Sequence, residues 1–213
     1  MLILASDDSL IYRQLQDIWR AYMKSNSNID CYFYKGDPTL PTEYKLDDDI
    51  LWIRIEESLD TVYEKTLKAF QYFSEMLCNY DFVFRPNISS FVVFDKYIDY
   101  CNTIPKRNFV SAVVGEYGGY TFPSGSGFTM STDIVLELVK DNPPAVFVDD
   151  VTIGKWLHLK NIPIHSVARC DYTTDSEIPI YRGTNAFHYR VKNTDRTLDL
   201  QIHKHLLKLH YGK

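Results

Sequence analysis

The chain has 213 residues, of which 45% are apolar and 24% charged, and its formal net charge is −5. These values are ordinary for a soluble α/β domain with a substantial core, and the negative charge argues against a nucleic-acid binder, which would carry a basic face. No apolar run approaches the roughly 18 residues of a membrane span, and the opening MLILASDD lacks the basic lead of a signal peptide. We therefore expect a soluble, cytoplasmic protein with no membrane segment in this chain.

The first hundred residues alternate between short apolar runs and segments with helical spacing. In chain order they predict strands at residues 2–5, 31–34, 50–53 and 82–84, and helices at residues 9–24, 59–77 and up to about 100. Such alternation is typical of an α/β fold with a mostly parallel central sheet flanked by helices on both faces.

The second half of the chain is less regular, and we expect it to carry the loops that face a substrate. It contains predicted strands at residues 109–114, 163–167 and 187–191, and predicted helices near residues 132–140, 149–160 and 198–209. No linker or low-complexity segment divides the sequence. The sequence therefore predicts one domain over residues 1–213.

Polar side chains follow the first and fourth predicted strands. Ser6 and Asp7 come directly after the first strand, where they could bind a nucleotide base and ribose or cap the next helix. Arg85, Asn87 and Ser89 come at the end of the fourth strand. Their oxygens and charge could contact a ligand phosphate, or Asn87 and Ser89 could simply form a turn. Ligands of open α/β sheets bind at this edge.

A glycine-rich, aromatic passage follows the predicted strand at residues 109–114. It contains Phe122, Ser124, Gly125 and Ser126. Glycines allow a backbone to approach a ligand closely, serine hydroxyls bond sugar oxygens, and sugar rings stack on aromatic faces. A bulged hairpin would also require glycines. Of these two interpretations, the sequence favours a sugar-binding loop.

Two adjacent carboxylates, Asp149 and Asp150, open the predicted helix at residues 149–160. Aspartates in the first turn of a helix are common because they accept bonds from free backbone amides and complement the helix dipole. Alternatively, one carboxylate caps the helix while the other faces a cleft as a general base.

Histidine and basic side chains complete the set of candidate residues. A lone histidine such as His188 is more often packed or solvated than a ligand. Arg190 and Lys192 alternate along one predicted strand, where they could neutralise phosphates. His203, in the last predicted helix, is expected at the surface.

Several of these segments, in this order, resemble the beta-galactosyltransferase and Fringe-type glycosyltransferases, which have the GT-A fold. The segments are KTLK at residues 65–68, FVFRPNIS at 82–89, FPSGSGF at 122–128, DDVTIG at 149–154, and a histidine at 188. A compact chain of this size is also similar to the capsid-glycan glycosyltransferase domains of large algal viruses.

The resemblance implies a single GT-A-like domain that transfers a sugar from a UDP- or dTDP-sugar to an acceptor hydroxyl of a glycan or glycoprotein, with inversion. It makes Asp150 the base. The donor-binding residues that we expect are Ser6, Asp7, Lys68, Arg85, Asn87, Ser89 and Arg190. The expected acceptor- and sugar-binding residues are Phe122, Ser124, Gly125, Ser126 and Asp149.

The position of the family's acidic DxD motif is occupied here by Asn87-Ile88-Ser89, which lacks both carboxylates. One option is Mn²⁺ held by the donor diphosphate, His188 and an oxygen of this segment. The other is a metal-free site in which Lys68, Arg190 or Lys192 neutralises the diphosphate. We adopt Mn²⁺ with His188 as the expectation. Loss of the motif also leaves two other functions open: a non-catalytic nucleotide- or carbohydrate-binding module, and a structural capsid-associated protein.

Overall fold

The computed structural model of the chain describes residues 1–173 and 186–213, which contain eleven strands and seven helices. The strands are β1 (Leu2–Leu4), β2 (Tyr32–Gly36), β3 (Tyr44–Asp47), β4 (Ile50–Ile53), β5 (Phe82–Pro86), β6 (Ser90–Val92), β7 (Val110–Tyr117), β8 (Tyr120–Ser131), β9 (Ile164–Ser166), β10 (Cys170–Thr173) and β11 (His188–Lys192). The helices are α1 (Leu10–Tyr22), α2 (Val62–Tyr72), α3 (Ser74–Leu77), α4 (Phe94–Cys101), α5 (Thr132–Asp141), α6 (Asp149–Leu159) and α7 (Arg196–Tyr211).

The described strands form three sheets of mixed direction. The first has the order β1-β2-β4-β3, the second β5-β8-β7-β9, and the third β10-β11-β6. A parallel bridge between Leu4 and Asn87 joins the first two sheets where β1 meets the end of β5. Pairing is parallel among β1, β2 and β4, but antiparallel among β5, β8 and β7. The predicted α/β class is therefore confirmed, but the pairing is mixed in direction throughout: β9 pairs with β7 and β10 with β11 in parallel, whereas the strands around β8 are antiparallel.

The antiparallel pairing has a local cause in the glycine-rich passage. Gly118 and Gly119 have φ angles of +56° and +84°, the left-handed conformation that a two-residue hairpin turn requires. The turn joins β7 to β8, and the pairing shifts register between Ala112 and Val114, as at a β-bulge. The passage at residues 120–131 is thus a long strand, so the bulged-hairpin interpretation describes its backbone.

Neighbouring residues of one strand belong to different hydrophobic clusters, which shows that the sheet is covered on both faces. Ile3 and Phe33 pack with α1, α4 and α7, whereas Leu2 and Tyr34 pack with α2, α5 and α6. Side chains alternate across a strand, so these two clusters lie on opposite faces. The predicted arrangement of helices on both faces is confirmed.

The remaining differences concern element boundaries and polar strands. The helix predicted at residues 59–77 is interrupted at Phe73 and forms α2 and α3. The strands β3 and β10 were not predicted, because their polar sequences YKLD and CDYT lack an apolar run. Within the described residues, none of the helices is both long enough and apolar enough to cross a bilayer.

Candidate functional site

A cleft of about 310 Å³ opens at the carboxyl ends of β1 and β5. Ligands of α/β sheets bind at this edge. The lining includes Ser6, Asn87 and Ser89, which were predicted from their positions at strand ends. The other polar residues of the lining are Asp8, Tyr12, Glu57, Ser58, Lys65 and Lys192.

The segment between β5 and β6 forms one wall of this cleft and is tied to both neighbouring strands. The Asn87 side-chain oxygen accepts a bond from the Ser89 amide at 3.1 Å, which closes a tight turn. The Asn87 amide donates to the Ser126 carbonyl at 3.1 Å, and the Ile88 amide donates to the Leu4 carbonyl at 2.9 Å. The wall is therefore fixed to β1 on one side and β8 on the other.

Beneath the cleft lies a layer of buried polar side chains, here called the interior polar layer: Tyr34, Thr66, Arg85 and Asp149. Arg85 and Asp149 form an ion pair and are 1% and 3% exposed. The guanidinium also donates to the Tyr34 hydroxyl at 2.9 Å and to the Gly125 carbonyl at 2.5 Å. Thr66 donates to Asp149 at 3.0 Å.

This layer corrects two predicted roles. Arg85 was expected to bind the donor and Asp149 to bind the acceptor, but both side chains point into the protein and bond each other. Because Arg85 belongs to β5 and Asp149 to α6, the pair anchors the start of that helix to the sheet. A buried charge pair with several hydrogen bonds specifies one arrangement of its elements, since either charge alone would be costly.

Asp150, the next residue, has a different environment. Its side chain is half-buried and accepts bonds from the Gly125 amide at 2.7 Å and the Val151 amide at 2.8 Å. Burial raises the pKa of the Asp150 carboxyl above its ordinary value, and the negative charge of Asp149 raises it further. The carbonyl of Ser126, the residue after Gly125 in β8, accepts a bond from the Asn87 amide in the cleft wall. The backbone of β8 therefore connects Asp150 to that wall.

Glycine is required at two positions for Asp150 to sit here. A Cβ on Gly125 would lie 2.6 Å from the Asp150 carboxylate, and a Cβ on Gly154 would lie 2.3 Å from Phe122. Gly154 therefore allows α6 to pack closely against β8, and Gly125 leaves room for the carboxylate. The ring of Phe122 lies against Gly115 in the same way, and its predicted part in sugar binding stays a prediction.

The predicted serines of β8 are bonded to a residue that sequence reasoning missed. Arg169 donates to the Ser124 hydroxyl at 2.9 Å and also bonds the Ser126 hydroxyl. It forms an ion pair with Asp171 at 2.5 Å. Arg169 lies in an irregular segment between β9 and β10, and no sequence motif marks it.

The aromatic rings that face solvent near this region are Tyr117 and Phe147. They are 48% and 54% exposed, and their rings stack at 5.8 Å with an angle of 8° between the planes. Phe147 lies three residues before Asp150 in the chain. These two rings offer an open aromatic surface.

Three predicted donor-binding residues are engaged outside the cleft lining. Lys68 contacts Glu43 at 3.2 Å and Glu64 at 3.4 Å on the outer side of α2. Asp7 accepts bonds from Lys35 at 2.8 Å and Gln16 at 3.0 Å. The positive charge of Arg190 helps to lower the pKa of His188. Arg190 is not part of the cleft lining, which instead includes Lys192.

Lys65 and Glu57 are residues of the lining that the sequence analysis missed. Lys65 is buried, and its ammonium forms an ion pair with Glu57. It shares a face of α2 with the buried Val62 and Ala69. The available signal in the sequence was a lysine within the apolar stripe of α2. A lysine at such a position is buried only when its charge is paired, so it indicates a nearby carboxylate.

His188, the expected metal ligand, is a buried neutral side chain. It is 2% exposed, and its Nε2 lies 3.0 Å from the Ser90 hydroxyl. Burial lowers the pKa of His188 to about 3, and the positive charge of Arg169 adds to this effect. In the parts of the chain that the structure describes, no three acidic, histidine or cysteine side chains are placed to hold a metal ion. The residues present do not fit the expected Mn²⁺ site.

Comparisons with known proteins complete the description. No protein-family model matches the sequence, and no curated protein matches it. Among solved structures, the chain is similar to the crystal structure of a glycosyltransferase involved in the glycosylation of the major capsid of PBCV-1. That likeness has a TM-score of 0.53 and 12% sequence identity, and it covers 94% of this chain and 98% of that chain. The protein thus has a fold like that of a glycosyltransferase.

Proposed function

We propose that the protein is a glycosyltransferase that moves a sugar from a UDP- or dTDP-sugar to a hydroxyl of a glycan or glycoprotein acceptor. The single observation that carries this proposal is the position of Asp150. Its carboxylate is held by a backbone amide of β8, next to the wall of a cleft at the edge where nucleotides bind in α/β folds. The likeness in fold to a glycosyltransferase supports the same activity, and the proposal keeps the expectation of a single GT-A-like domain over residues 1–213.

In the proposed reaction, Asp150 takes the proton of the acceptor hydroxyl. The acceptor oxygen attacks the anomeric carbon of the donor sugar, the bond from that carbon to the diphosphate breaks, and the nucleoside diphosphate leaves with the electron pair. Attack from the side opposite the leaving group inverts the anomeric configuration. A raised pKa suits this role because a stronger base accepts the proton more readily.

Donor and acceptor would approach Asp150 from two sides. Ser6, Asn87 and Ser89 line the cleft, where they would bond the donor nucleotide and its phosphates. The exposed pair Tyr117 and Phe147 offers an aromatic face on which an acceptor sugar would stack. Ser124 and Ser126, held by Arg169, would lie between the two sides.

The proposal is tested by incubating the purified chain with a panel of UDP- and dTDP-sugars and glycan acceptors, and by following the release of nucleoside diphosphate. We expect release that depends on the acceptor, and a product whose anomeric configuration, read by NMR, is opposite to that of the donor. A product with retained configuration would contradict the role of Asp150.

Two other results would favour the alternative functions. Tight binding of a nucleoside diphosphate with no turnover against any acceptor would indicate a non-catalytic binding module. The absence of nucleotide binding altogether, measured as an unchanged melting temperature, would indicate a structural protein.

A further inference from the structure

In the wall of the cleft that replaces the acidic motif, the side-chain oxygens already accept hydrogen bonds. The Asn87 side-chain oxygen already accepts bonds from the Ser89 amide at 3.1 Å and the Ser90 hydroxyl at 3.3 Å. The Ser89 hydroxyl oxygen accepts a bond from the Arg196 guanidinium at 2.9 Å. A divalent cation bound to Ser89 would lie beside that guanidinium and be repelled by it. The wall is therefore suited to an anion.

The carboxylates of the lining do not supply the ligands that a small divalent ion requires. Glu57 is paired with Lys65 and accepts a bond from the Gly36 amide at 2.7 Å. Asp8, the other acidic residue of the lining, is exposed. Mg²⁺ and Mn²⁺ bind hard oxygen ligands and are held by one or more carboxylates in most sites. One paired and one peripheral carboxylate do not make such a set.

Positive groups, by contrast, converge on this wall from the C-terminal part of the chain. Lys192, the last residue of β11, is exposed and lines the cleft. Arg196, the first residue of α7, donates to Ser89 while its guanidinium lies 5.7 Å from the centre of the Tyr12 ring. Arg196 also forms an ion pair with the buried Asp199, which holds its planar fork in place.

We infer that the cleft binds the diphosphate of a nucleotide with Arg196 and Lys192 as its counter-charges and without a resident divalent ion. The partly exposed Arg196 guanidinium would attract one phosphate through its charge, and the flexible Lys192 would follow the other as a point charge. Lys65, paired with Glu57 at the base of the cleft, would contribute less because its side chain is almost fully buried. This inference rests on the proposed function for the kind of ligand, but not on turnover.

Calorimetric titration of UDP, and separately of dTDP, tests the inference. The wild-type chain is measured in EDTA and again in Mn²⁺ at equal ionic strength. We expect dissociation constants within about threefold of each other, because no metal takes part. Binding that is seen only in Mn²⁺, or no binding of either nucleotide, would overturn the inference.

Three variants and one control identify the counter-charges. Lys192→Ala and Arg196→Ala are each expected to weaken nucleotide binding about tenfold. Arg196→Lys should weaken it less, because lysine keeps the positive charge and loses only the planar guanidinium. Lys204→Ala, at another exposed lysine of α7, should bind as wild type. Unchanged affinity in Lys192→Ala, whose exposed side chain is not needed for folding, would overturn the inference.

The two proposals fail in different ways. A chain that binds UDP in EDTA but transfers no sugar would refute the proposed function and leave the diphosphate site standing. A chain that transfers sugar only when Mn²⁺ is present would support the function and refute the metal-free site.

Discussion

The interior polar layer and the Asp150 site are neighbours in space, but they handle charge in opposite ways. In the layer, Asp149 is compensated by Arg85 and withdrawn from solvent. At the site, Asp150 accepts bonds from the backbone amides of Gly125 and Val151, and burial raises its pKa. Successive residues of a helix point about 100° apart, so one helix start can serve both purposes. The comparison indicates that Asp149 positions the helix and that Asp150 is available for chemistry.

The largest expected effect breaks the layer. Arg85→Met would leave Asp149 as an uncompensated buried charge, and we expect a loss of about 3–5 kcal/mol in the free energy of unfolding. Urea denaturation measures it. The control is Lys106→Met at the exposed pair of Lys106 with Asp81, where a change below about 1 kcal/mol is expected. Equal effects at the two positions would show that the layer is not special.

The second prediction breaks the Asp150 site and leaves the layer intact. A Cβ introduced by Gly125→Ala would displace the Asp150 carboxylate, the movable end of a side chain. A shift of about 1 Å in a reacting group is expected to lower turnover about 100-fold, equivalent to about 2.7 kcal/mol. The melting temperature should change little. Turnover that stays at the wild-type level in this variant would remove the requirement for a precisely placed carboxylate.

The third prediction concerns the effect of pH on the buried histidines near these regions. Burial lowers the pKa of both His188 and His203 to about 3, from an ordinary 6.5. The unfolded chain therefore binds protons at a higher pH than the folded chain does. The contribution of the neutral histidines to the free energy of unfolding is fully present above about pH 6.5 and is lost as the pH falls towards 3. Each histidine is expected to lower the free energy of unfolding at pH 5 by about 2 kcal/mol relative to its value at neutral pH.

Urea denaturation at pH 8 and pH 5 checks this expectation. His203→Phe, which keeps a ring against Phe91, should reduce the difference between the two pH values by about 2 kcal/mol. An unchanged difference would mean that His203 is not a buried neutral group. This histidine was expected at the surface, and its complete burial is a correction.

The smallest expected effect concerns the aromatic surface. Phe147→Ala would remove one ring of the exposed pair, and we expect KM for a glycan acceptor to rise about fivefold, equivalent to about 1 kcal/mol. The affinity for UDP should stay the same. Leu159→Ala, at an exposed apolar residue at the other end of α6, is the matched control. A KM that does not change would place the acceptor elsewhere.

The fold could be predicted where periodicity is strong. The apolar runs that became β1, β2, β4 and β5 were found, as were the main helices. The direction of pairing could not be read from periodicity, because parallel and antiparallel strands can share the same pattern. The polar strands β3 and β10 gave no apolar signal.

Sequence rules reached the cleft only where they are local. Strand-end positions pointed to Ser6, Asn87 and Ser89, which line the cleft, and their donor-binding roles stay predictions. Roles that depend on partners distant in sequence were missed: Arg85 meets Asp149 only when α6 packs on the sheet, and Arg196 meets Ser89 across more than a hundred residues. Long-range pairs of this kind leave no trace in a single sequence.

The most direct test of the account is the turnover of Asp150→Asn at saturating donor and acceptor, with UDP affinity measured in parallel. The variant removes a carboxylate whose burial raises its pKa, so its ionisation does not stabilise the fold at neutral pH, and we expect a nearly unchanged melting temperature. The account predicts turnover lower by about 10²–10⁴-fold with unchanged UDP binding. Turnover within threefold of wild type would contradict it.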